Sequence, residues 1–390
     1  MGKKLKKKVP ELRFPEFHGN WITDRIDYFL VRYVNSVDVQ LETQYKQIGI
    51  RSHGKGIFHK DPVTGEELGN KRVYWVHPEA FTVNIVFAWE QAVALTSSEE
   101  EGYIASHRFL MFLPKQNRAD LKFVLLFFLR KRGKHLLELA SPGGAGRNKT
   151  LGQESFAELE VTFPQRGEQE KIASFLGAIA TRLTQLRRKH ELLQTYKRGV
   201  RQKIFSQQIR FKQPDGSPYP DWEYKELGAV LDYEQPTNYL VSSTEYNDSF
   251  STPVLTAGKS FLLGYTNETN NIFCKLPTII FDDFTTSFKF VNFPFKAKSS
   301  AMKMLLPKNK NVNIKYIFEV MKTLKISLGD DHKRYWISEY QYLEIAYPVK
   351  EEQEKIVDFL TALDRKIEAI SKKIALTEQF KKGLLQKMFV

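Results

Sequence analysis

The chain has 390 residues, 42% of them hydrophobic and 27% charged, which suits two ordinary folded domains and excludes a disordered or collagen-like polymer. No apolar run approaches the roughly 18 residues of a membrane span, the longest, Phe123 to Leu129, being cut by Arg130-Lys131-Arg132. A single cysteine, Cys274, excludes an internal disulfide and a cysteine-held zinc, and with no secretory signal at the start the expectation is a cytoplasmic protein.

The formal charge of +14 points to a polyanionic partner, and its distribution is uneven. Residues 1–21 are a basic tail and entry segment, with Lys3, Lys4, Lys6, Lys7 and Lys8 ahead of Leu12-Arg13-Phe14 and Trp21. Residues 165–212 carry twelve Lys/Arg against three Asp/Glu, and outside these two segments the chain is near neutral in sum.

Residues 22–163 read as a first α+β domain. Strands are expected at Val73 to Val76, Phe81 to Trp89, Ala92 to Leu95 and Phe109 to Leu113, and a helix at Leu121 to Lys131. Residues 164–206 read as a long helix, and 207–222 as the entry to a second repeat. Residues 223–347 form a second α+β domain, with strands at Pro253 to Leu255, Thr278 to Phe281 and Met302 to Leu306 and a helix at Ile314 to Thr323. Residues 348–390 read as a second long helix.

The two long helices are copies. Pro164 to Phe205 aligns without a gap on Pro348 to Phe389, with 16 of 42 positions identical, including Glu-Gln-Glu-Lys-Ile at 168–172 and 352–356. Apolar residues alternate four and three apart, at Ile172, Leu176, Ile179, Leu183 and Leu186 and at Ile356, Leu360, Leu363, Ile367 and Ile370, the spacing of a coiled-coil seam. Farther along, that register meets His190 and Lys197, and the apolar positions suggest a stutter onto Leu192, Tyr196 and Val200, matched by Leu376, Phe380 and Leu384. Each seam needs a partner, and two similar seams suit antiparallel pairing with one another. Leu12-Arg13-Phe14 before Trp21 and Ile209-Arg210-Phe211 before Trp222 extend the duplication to the domain entries. The domain interiors do not align, so a repeated scaffold carries two unlike domains and approximate two-fold symmetry.

The Pro-Glu-Leu-Arg-Phe-Pro opening at 10–15, the Glu-Gln-Glu-Lys-Ile helices and their Lys203-Ile204-Phe205 and Lys387-Met388-Phe389 ends resemble the specificity subunit of type I restriction-modification systems over the full length. The resemblance implies two target recognition domains, each reading one part of a split double-stranded DNA sequence, with the helices paired antiparallel as a ruler for the spacer. It further implies two modification subunits that methylate adenine with S-adenosylmethionine, and restriction subunits that use ATP and Mg2+. This chain would then bind no cofactor and meet no membrane, in a bacterial or archaeal cytoplasm.

Readout of DNA needs donors and amides on loops, with cations or backbone N–H groups on phosphates. In the first domain the Gly-containing stretch 45–56 supplies Lys46, Gln47, Arg51 and Lys55; Arg108 follows in Ser-His-Arg, and Arg147 and Lys149 lie in the glycine-rich stretch 143–149. In the second domain the candidates are Lys259, Lys296, Lys298, Lys333 and Arg334. Asp282-Asp283 after an apolar strand would accept from a cytosine amine or position a neighbouring lysine; a metal is a third reading that lacks a second acidic or histidine pair at helical spacing. The cations Arg187, Arg188, Lys189, Lys197 and Arg198 of the first helix would face spacer phosphates or acidic modification subunits.

Enzymatic readings fail on particular residues. The stretch ending Lys149-Thr150 has Asn148 where a phosphate-binding loop needs glycine, no Pro-Pro dipeptide marks an adenine methyltransferase, and the eight histidines form no His-Glu-x-x-His pair. The alternative of another class is a non-catalytic coiled-coil adaptor or scaffold that binds proteins or RNA.

Overall fold

A computed structural model describes residues 9–143, 149–258, 260–324 and 334–390. The chain divides into two units, residues 1–187 with 373–390 and residues 188–372. The divisions fall inside the two long helices, so each unit owns part of both.

In unit 1, β1 (Ile22–Arg25), α1 (Ile26–Phe29) and β2 (Leu30–Tyr33) lead to β3 (Gln44–Ile50), β4 (Ile57–Thr64), α2 (Gly65–Leu68) and β5 (Val73–Trp75). There follow β6 (Phe81–Asn84), β7 (Val93–Leu95), β8 (Ile104–Ser106), β9 (Phe109–Pro114), α3 (Leu121–Phe128), α4 (Lys131–Leu139), α5 (Gln153–Ala157), β10 (Glu160–Phe163) and the long helix α6 (Arg166–Phe205). One sheet has the order β2-β9-β6-β7 and another β4-β3-β8-β5, while β1 pairs antiparallel with β10 and so closes the domain where its helix begins.

Unit 2 repeats the first part of that plan. Its elements are β11 (Glu223–Glu226), α7 (Leu227–Val230), β12 (Leu231–Glu234), β13 (Thr252–Leu255), β14 (Leu262–Thr266), β15 (Thr278–Asp282), β16 (Phe288–Val291), β17 (Lys296–Ala297), β18 (Met302–Pro307), α8 (Ile314–Met321), α9 (Tyr335–Ser338), β19 (Glu344–Tyr347) and α10 (Lys350–Lys387). The pair β11-β19 and the sheet β12-β18-β15-β16 match β1-β10 and β2-β9-β6-β7 strand for strand, all antiparallel. The second sheets are related as well: β14-β13-β17 and β4-β3-β8-β5 each set an antiparallel hairpin beside a parallel strand, and unit 1 adds β5 at the edge. The duplication therefore reaches into the second sheets, which differ in strand number and in the side chains they carry.

Each core sits where the shared sheet, the short helix and the long helices converge. In unit 1 Phe123, Phe127, Phe128, Phe156 and Phe163 pack with Ile172 and Leu176 of α6, with Leu384 of α10 and with Met388 just beyond it. In unit 2 Phe281, Tyr316, Ile317 and Trp336 pack with Ile204 of α6 and Ile356 and Leu360 of α10. The start of α6 thus meets the end of α10 in one unit, and the end of α6 meets the start of α10 in the other, which is antiparallel pairing.

The seam keeps the strict four-three alternation to both ends, contrary to the expected stutter. His190, Leu193, Lys197 and Ile204 are less exposed than their neighbours, as are Ile374, Thr377, Lys381 and Leu384, and Val200 and Met388 pack into the cores. Leu192 (51% exposed), Tyr196 (53%), Leu376 (66%) and Phe380 (57%) face outward. Polar residues hold the seam because they are paired: His190 Nε2 lies 2.9 Å from Ser371 Oγ, and Lys197 Nζ donates to Asp364 Oδ1 at 2.6 Å. A paired lysine tolerates burial that an unpaired one does not.

Two expected elements end early. The strand from Phe81 stops at Asn84, and the helix from Leu121 stops at Phe128; extended Arg130 then starts a separate helix, α4. Among the described residues no helix is long and apolar enough to cross a membrane.

Candidate nucleic-acid interface

Each domain is fixed to its long helix by the same buried clamp. Glu168, fully buried in the first turn of α6, accepts from Arg13 Nε and Nη2 at 2.8 and 2.7 Å and from Trp21 Nε1 at 3.3 Å. Glu352, its copy in α10, accepts from Arg210 Nε and Nη2 at 3.3 and 2.9 Å and from Trp222 Nε1 at 2.8 Å. These hydrogen bonds raise both guanidinium groups above their ordinary pKa. The neighbouring glutamine repeats too. Gln169 Oε1 accepts from Asp120 N and Gln353 Oε1 from Asn313 N, each at 2.9 Å, while their amide nitrogens donate to Pro164 O and Pro348 O. Asp120 and Asn313 in turn cap α3 and α8. The Arg-Phe before Trp and the Glu-Gln of each helix are therefore two halves of one joint.

In unit 1 the stretch 45–56 is a hairpin, not a free loop: β3 and β4 flank a turn closed by Arg51 N to Gly56 O at 3.0 Å. Its glycines serve packing more than phosphate approach. A Cβ on Gly49 would strike the Phe58 ring, and one on Gly54, at φ +63°, would strike Leu129. The tip is held by His53 N and Gly54 N on the carbonyls of Glu90 and Gln91. Residues 84–91 are the hub of this face, since Ile85 also accepts from Leu151 N and donates to Arg108 O. Around the hub stand exposed Arg51 and Lys55, exposed Arg108, and Lys149, whose ammonium lies 5.5 Å from the Trp89 ring. Arg51 is steadied over Phe58 and donates to Ile57 O. Lys46 lies over Tyr103, with half-buried Gln47 on the next rung. Lys60, exposed on β4 and over Phe109, joins this basic face; β4 does not alternate, and its sequence carried no signal for it. Beside it Glu100 is buried, which opposes ionisation, yet hydrogen bonds from His59 and Ser97 hold its carboxyl below the usual range.

In unit 2 the candidates part company. Lys296 is only 2% exposed, with Nζ 2.6 Å from Glu268 Oε2 and donating to Asn270 O, so it is a buried structural cation and leaves the list of DNA contacts. Lys298 and Arg334 are exposed, and Lys298 N donates to Leu255 O at the edge of β13. Lys259 and Lys333, with Arg147 of unit 1 and the lysines of the tail, lie outside the described residues. Asp283 answers the first two readings of the Asp-Asp pair: its carboxylate lies 2.5 Å from buried Lys303 Nζ and accepts from Trp336 N, while Asp282 accepts from Phe284 N and Thr285 N. The pair positions a lysine and pins the start of α9. Exposed Phe284 and Lys289 stand near that end of the sheet as an aromatic and a cation that sequence inspection passed over.

The helix cations divide similarly. Arg187 pairs with Glu378 and Arg188 with Glu191 at the surface, Lys189 and Arg198 are exposed, and Lys197 is buried between Asp364 and Glu319, so it faces neither phosphate nor partner. Among the described residues no group of three or more His, Cys, Asp or Glu could hold a metal ion.

A family model described as the type I restriction modification DNA specificity domain matches this chain twice, over residues 76–194 and 219–379. The chain belongs to the type I specificity family. Within it, a type I restriction enzyme specificity subunit of Escherichia coli is 47% identical over 161 residues, 38% of this chain and 40% of that relative, so the likeness spans less than half of it. A relative from Methanocaldococcus jannaschii named as a type I specificity subunit is 22% identical over 75% of this chain and 73% of its own. The fold matches the HsdS subunit from Thermoanaerobacter tengcongensis at TM-score 0.52 and 16% identity, over 95% of this chain and 96% of that one. It matches the type-I system S subunit from M. genitalium at TM-score 0.61 and 17% identity, over 98% and 99%. As a type I specificity subunit the chain serves DNA target recognition, with two α+β recognition domains alternating with two antiparallel helices.

Proposed function

We propose that this specificity subunit reads a two-part sequence on one duplex, unit 1 recognising one part and unit 2 the other, while the helix pair sets their separation and docks two modification subunits. The chain itself contributes no catalytic group and binds no cofactor. Methyl transfer from S-adenosylmethionine belongs to the modification subunits, and ATP- and Mg2+-dependent cleavage to restriction subunits.

The observation that carries this reading is the twice-built clamp at Glu168 and Glu352 beneath two different second sheets. Identical joints present unlike surfaces, which suits an asymmetric target. On unit 1 the donors are Arg51, Lys55, Arg108 and Lys149, with Lys46 and Gln47 at the adjoining strand; on unit 2 they are Lys298 and Arg334. Direct readout and phosphate contact separate by experiment. Replacing a base-reading arginine relaxes one position of one half-site, whereas neutralising a phosphate contact weakens all sequences alike and lowers the salt slope by about 0.9.

Adenine methylation mapping by long-read sequencing, in cells carrying the chain with its partner subunits, tests the proposal. Two short half-sites at one fixed spacing are expected. A heptad inserted in both helices should change the spacing and neither half-site; an unchanged spacing removes the ruler.

A further inference from the structure

The two units have a groove at the same place on the helix pair, and in unit 1 the end of α3 and the start of α4 form its other wall. In unit 1 it holds about 850 Å³, with Leu126 and Leu129 on one wall and Leu183 and Leu385 on the other. In unit 2 the corresponding cleft, bordered by Lys197, Arg198 and Asp364, holds about 390 Å³. The correspondence is residue by residue: Ala180 answers Asp364, Lys381 answers Lys197, and Lys382 answers Arg198 at the offset of the helix repeat. Counting from the Gln169- and Gln353-bound caps Asp120 and Asn313, Leu126 of α3 answers Glu319 of α8.

The chemistry at these equivalent places is opposite. In unit 2 fully buried Glu319 lies 2.8 Å from Lys322, 3.6 Å from Arg201 and 3.9 Å from Lys197, and Asp364 completes the neutralisation of Lys197. In unit 1 both carboxylates are replaced by apolar side chains, and Arg201 and Lys322 by Leu385 and Leu129, yet Lys197 and Arg198 keep cationic counterparts in Lys381 and Lys382. Arg130, Lys131, Lys381 and Lys382 line the groove with no ion pair among the described residues, and its one acid, Glu378, is held by Arg187 at 2.5 Å. Arg130 is stacked on Phe389 at 4.4 Å, and its buried Nη1 has no hydrogen-bond partner. Burial, then the charge of Arg132, pushes its pKa down to about 10, so it is still charged at neutral pH. That nitrogen lies too deep for an arriving group to touch, but a carboxylate in the groove would offset the positive charge that Arg130 shares with Lys131, Lys381 and Lys382.

We infer that the unit 1 groove docks an acidic amphipathic segment of a partner protein, whose carboxylates do for Arg130, Lys381 and Lys382 what Glu319 does inside unit 2. The leucine walls select a protein segment over a phosphate backbone, because phosphate offers them no apolar surface. Unit 2 carries its own carboxylate there and takes no such segment. The inference deepens the reading that the chain works among partner subunits, and it makes their docking unequal on the two units.

The test uses the full complex with its own partner subunits and benzoylphenylalanine at position 129. The expected result is a photo-cross-link to one partner peptide that carries carboxylates among apolar residues. Leu126→Glu, which copies unit 2, should abolish that cross-link, and Lys382→Glu, at the exposed rim, should reduce it at least tenfold with duplex affinity unchanged. Should Leu126→Glu fail to fold, Lys382→Glu decides alone. A cross-link to DNA, a cross-link to a second copy of this chain, absence of any cross-link, or indifference to Lys382→Glu overturns the inference. Methylation by the parent complex at a two-part target, measured alongside, shows separately whether the reading it rests on stands.

Discussion

Units 1 and 2 hold their domains to the helices with the same side chains and build their second sheets differently. The clamp of arginine, tryptophan and buried glutamate, the glutamine that receives the next helix cap, and the four-stranded antiparallel sheet are all present twice. Beyond that frame, unit 1 fixes its hairpin β3-β4 on residues 84–91 and adds β5, whereas in unit 2 the buried pair Lys296–Glu268 braces the three-stranded sheet and Lys303–Asp283 holds the end of the shared one. The difference teaches which parts answer to the scaffold and which to the target. Side chains that join a domain to the helices cannot change without loss of the joint, whereas the second sheets contribute no side chain to it.

The largest effect should come from breaking the joint. Glu168→Ala and Glu352→Ala each remove a buried carboxylate and strand an arginine and an indole, at a cost of about 4 kcal/mol. Hydrogen exchange on peptides of each unit should show the loss confined to unit 1 for the first and unit 2 for the second. Unequal losses would break the equivalence. Next, Asp283→Asn leaves Lys303 buried without its counter-charge, about 3 kcal/mol by urea unfolding followed in unit 2, with no effect expected in unit 1. Gly54→Ala places a Cβ against Leu129 in a left-handed turn, and should cost unit 1 about 1–2 kcal/mol.

Acid gives a smaller contrast. The Glu268 carboxyl lies below its ordinary range, chiefly through its hydrogen bond from Lys296 and, against the opposing effect of burial, through Ser243 N and Ser242 N. Its stabilisation is complete above the ordinary carboxylate pKa and is lost as pH falls through the lower folded value. Glu268→Gln should therefore flatten the acid limb of unit 2 melting by under about 1 kcal/mol. The smallest effect belongs to the outward residues of the helices. Leu192→Ser and Leu376→Ser should change stability by no more than about 0.5 kcal/mol, against about 2 kcal/mol or more for Leu186→Ala in the seam. A shifted seam would make Leu192 and Leu376 as costly as Leu186.

The helices and their first seam residues were legible in the sequence because periodicity reports burial directly, and Ile172, Leu176, Leu183 and Leu186 are buried with Ile356, Leu360, Leu363 and Ile370, while Ile179 and Ile367 are half-buried. Periodicity misled at Leu192 and Tyr196, because it counts apolar side chains and does not register that Lys197 finds Asp364 across the pair. The clamp was in view as two separate repeats, Arg-Phe before Trp and Glu-Gln in the helix. Their meeting is a contact 155 residues apart, which composition and spacing do not encode. Among the candidate contacts, Arg51, Lys55, Arg108 and Lys298 are exposed, and Lys296 is not. A lysine in a loop and one in a two-residue edge strand, buried against Glu268, look alike until the fold places the acid beside one of them.

The central claim is that one frame carries two independent readers. Its most direct test is methylation mapping of a chain in which residues 223–347 are exchanged for the corresponding domain of another family member, leaving Arg210, Trp222 and Glu352 in place. The account predicts that one half-site changes, while the other half-site and the spacing between them stay as they were. A change in both half-sites, or in neither, would contradict it.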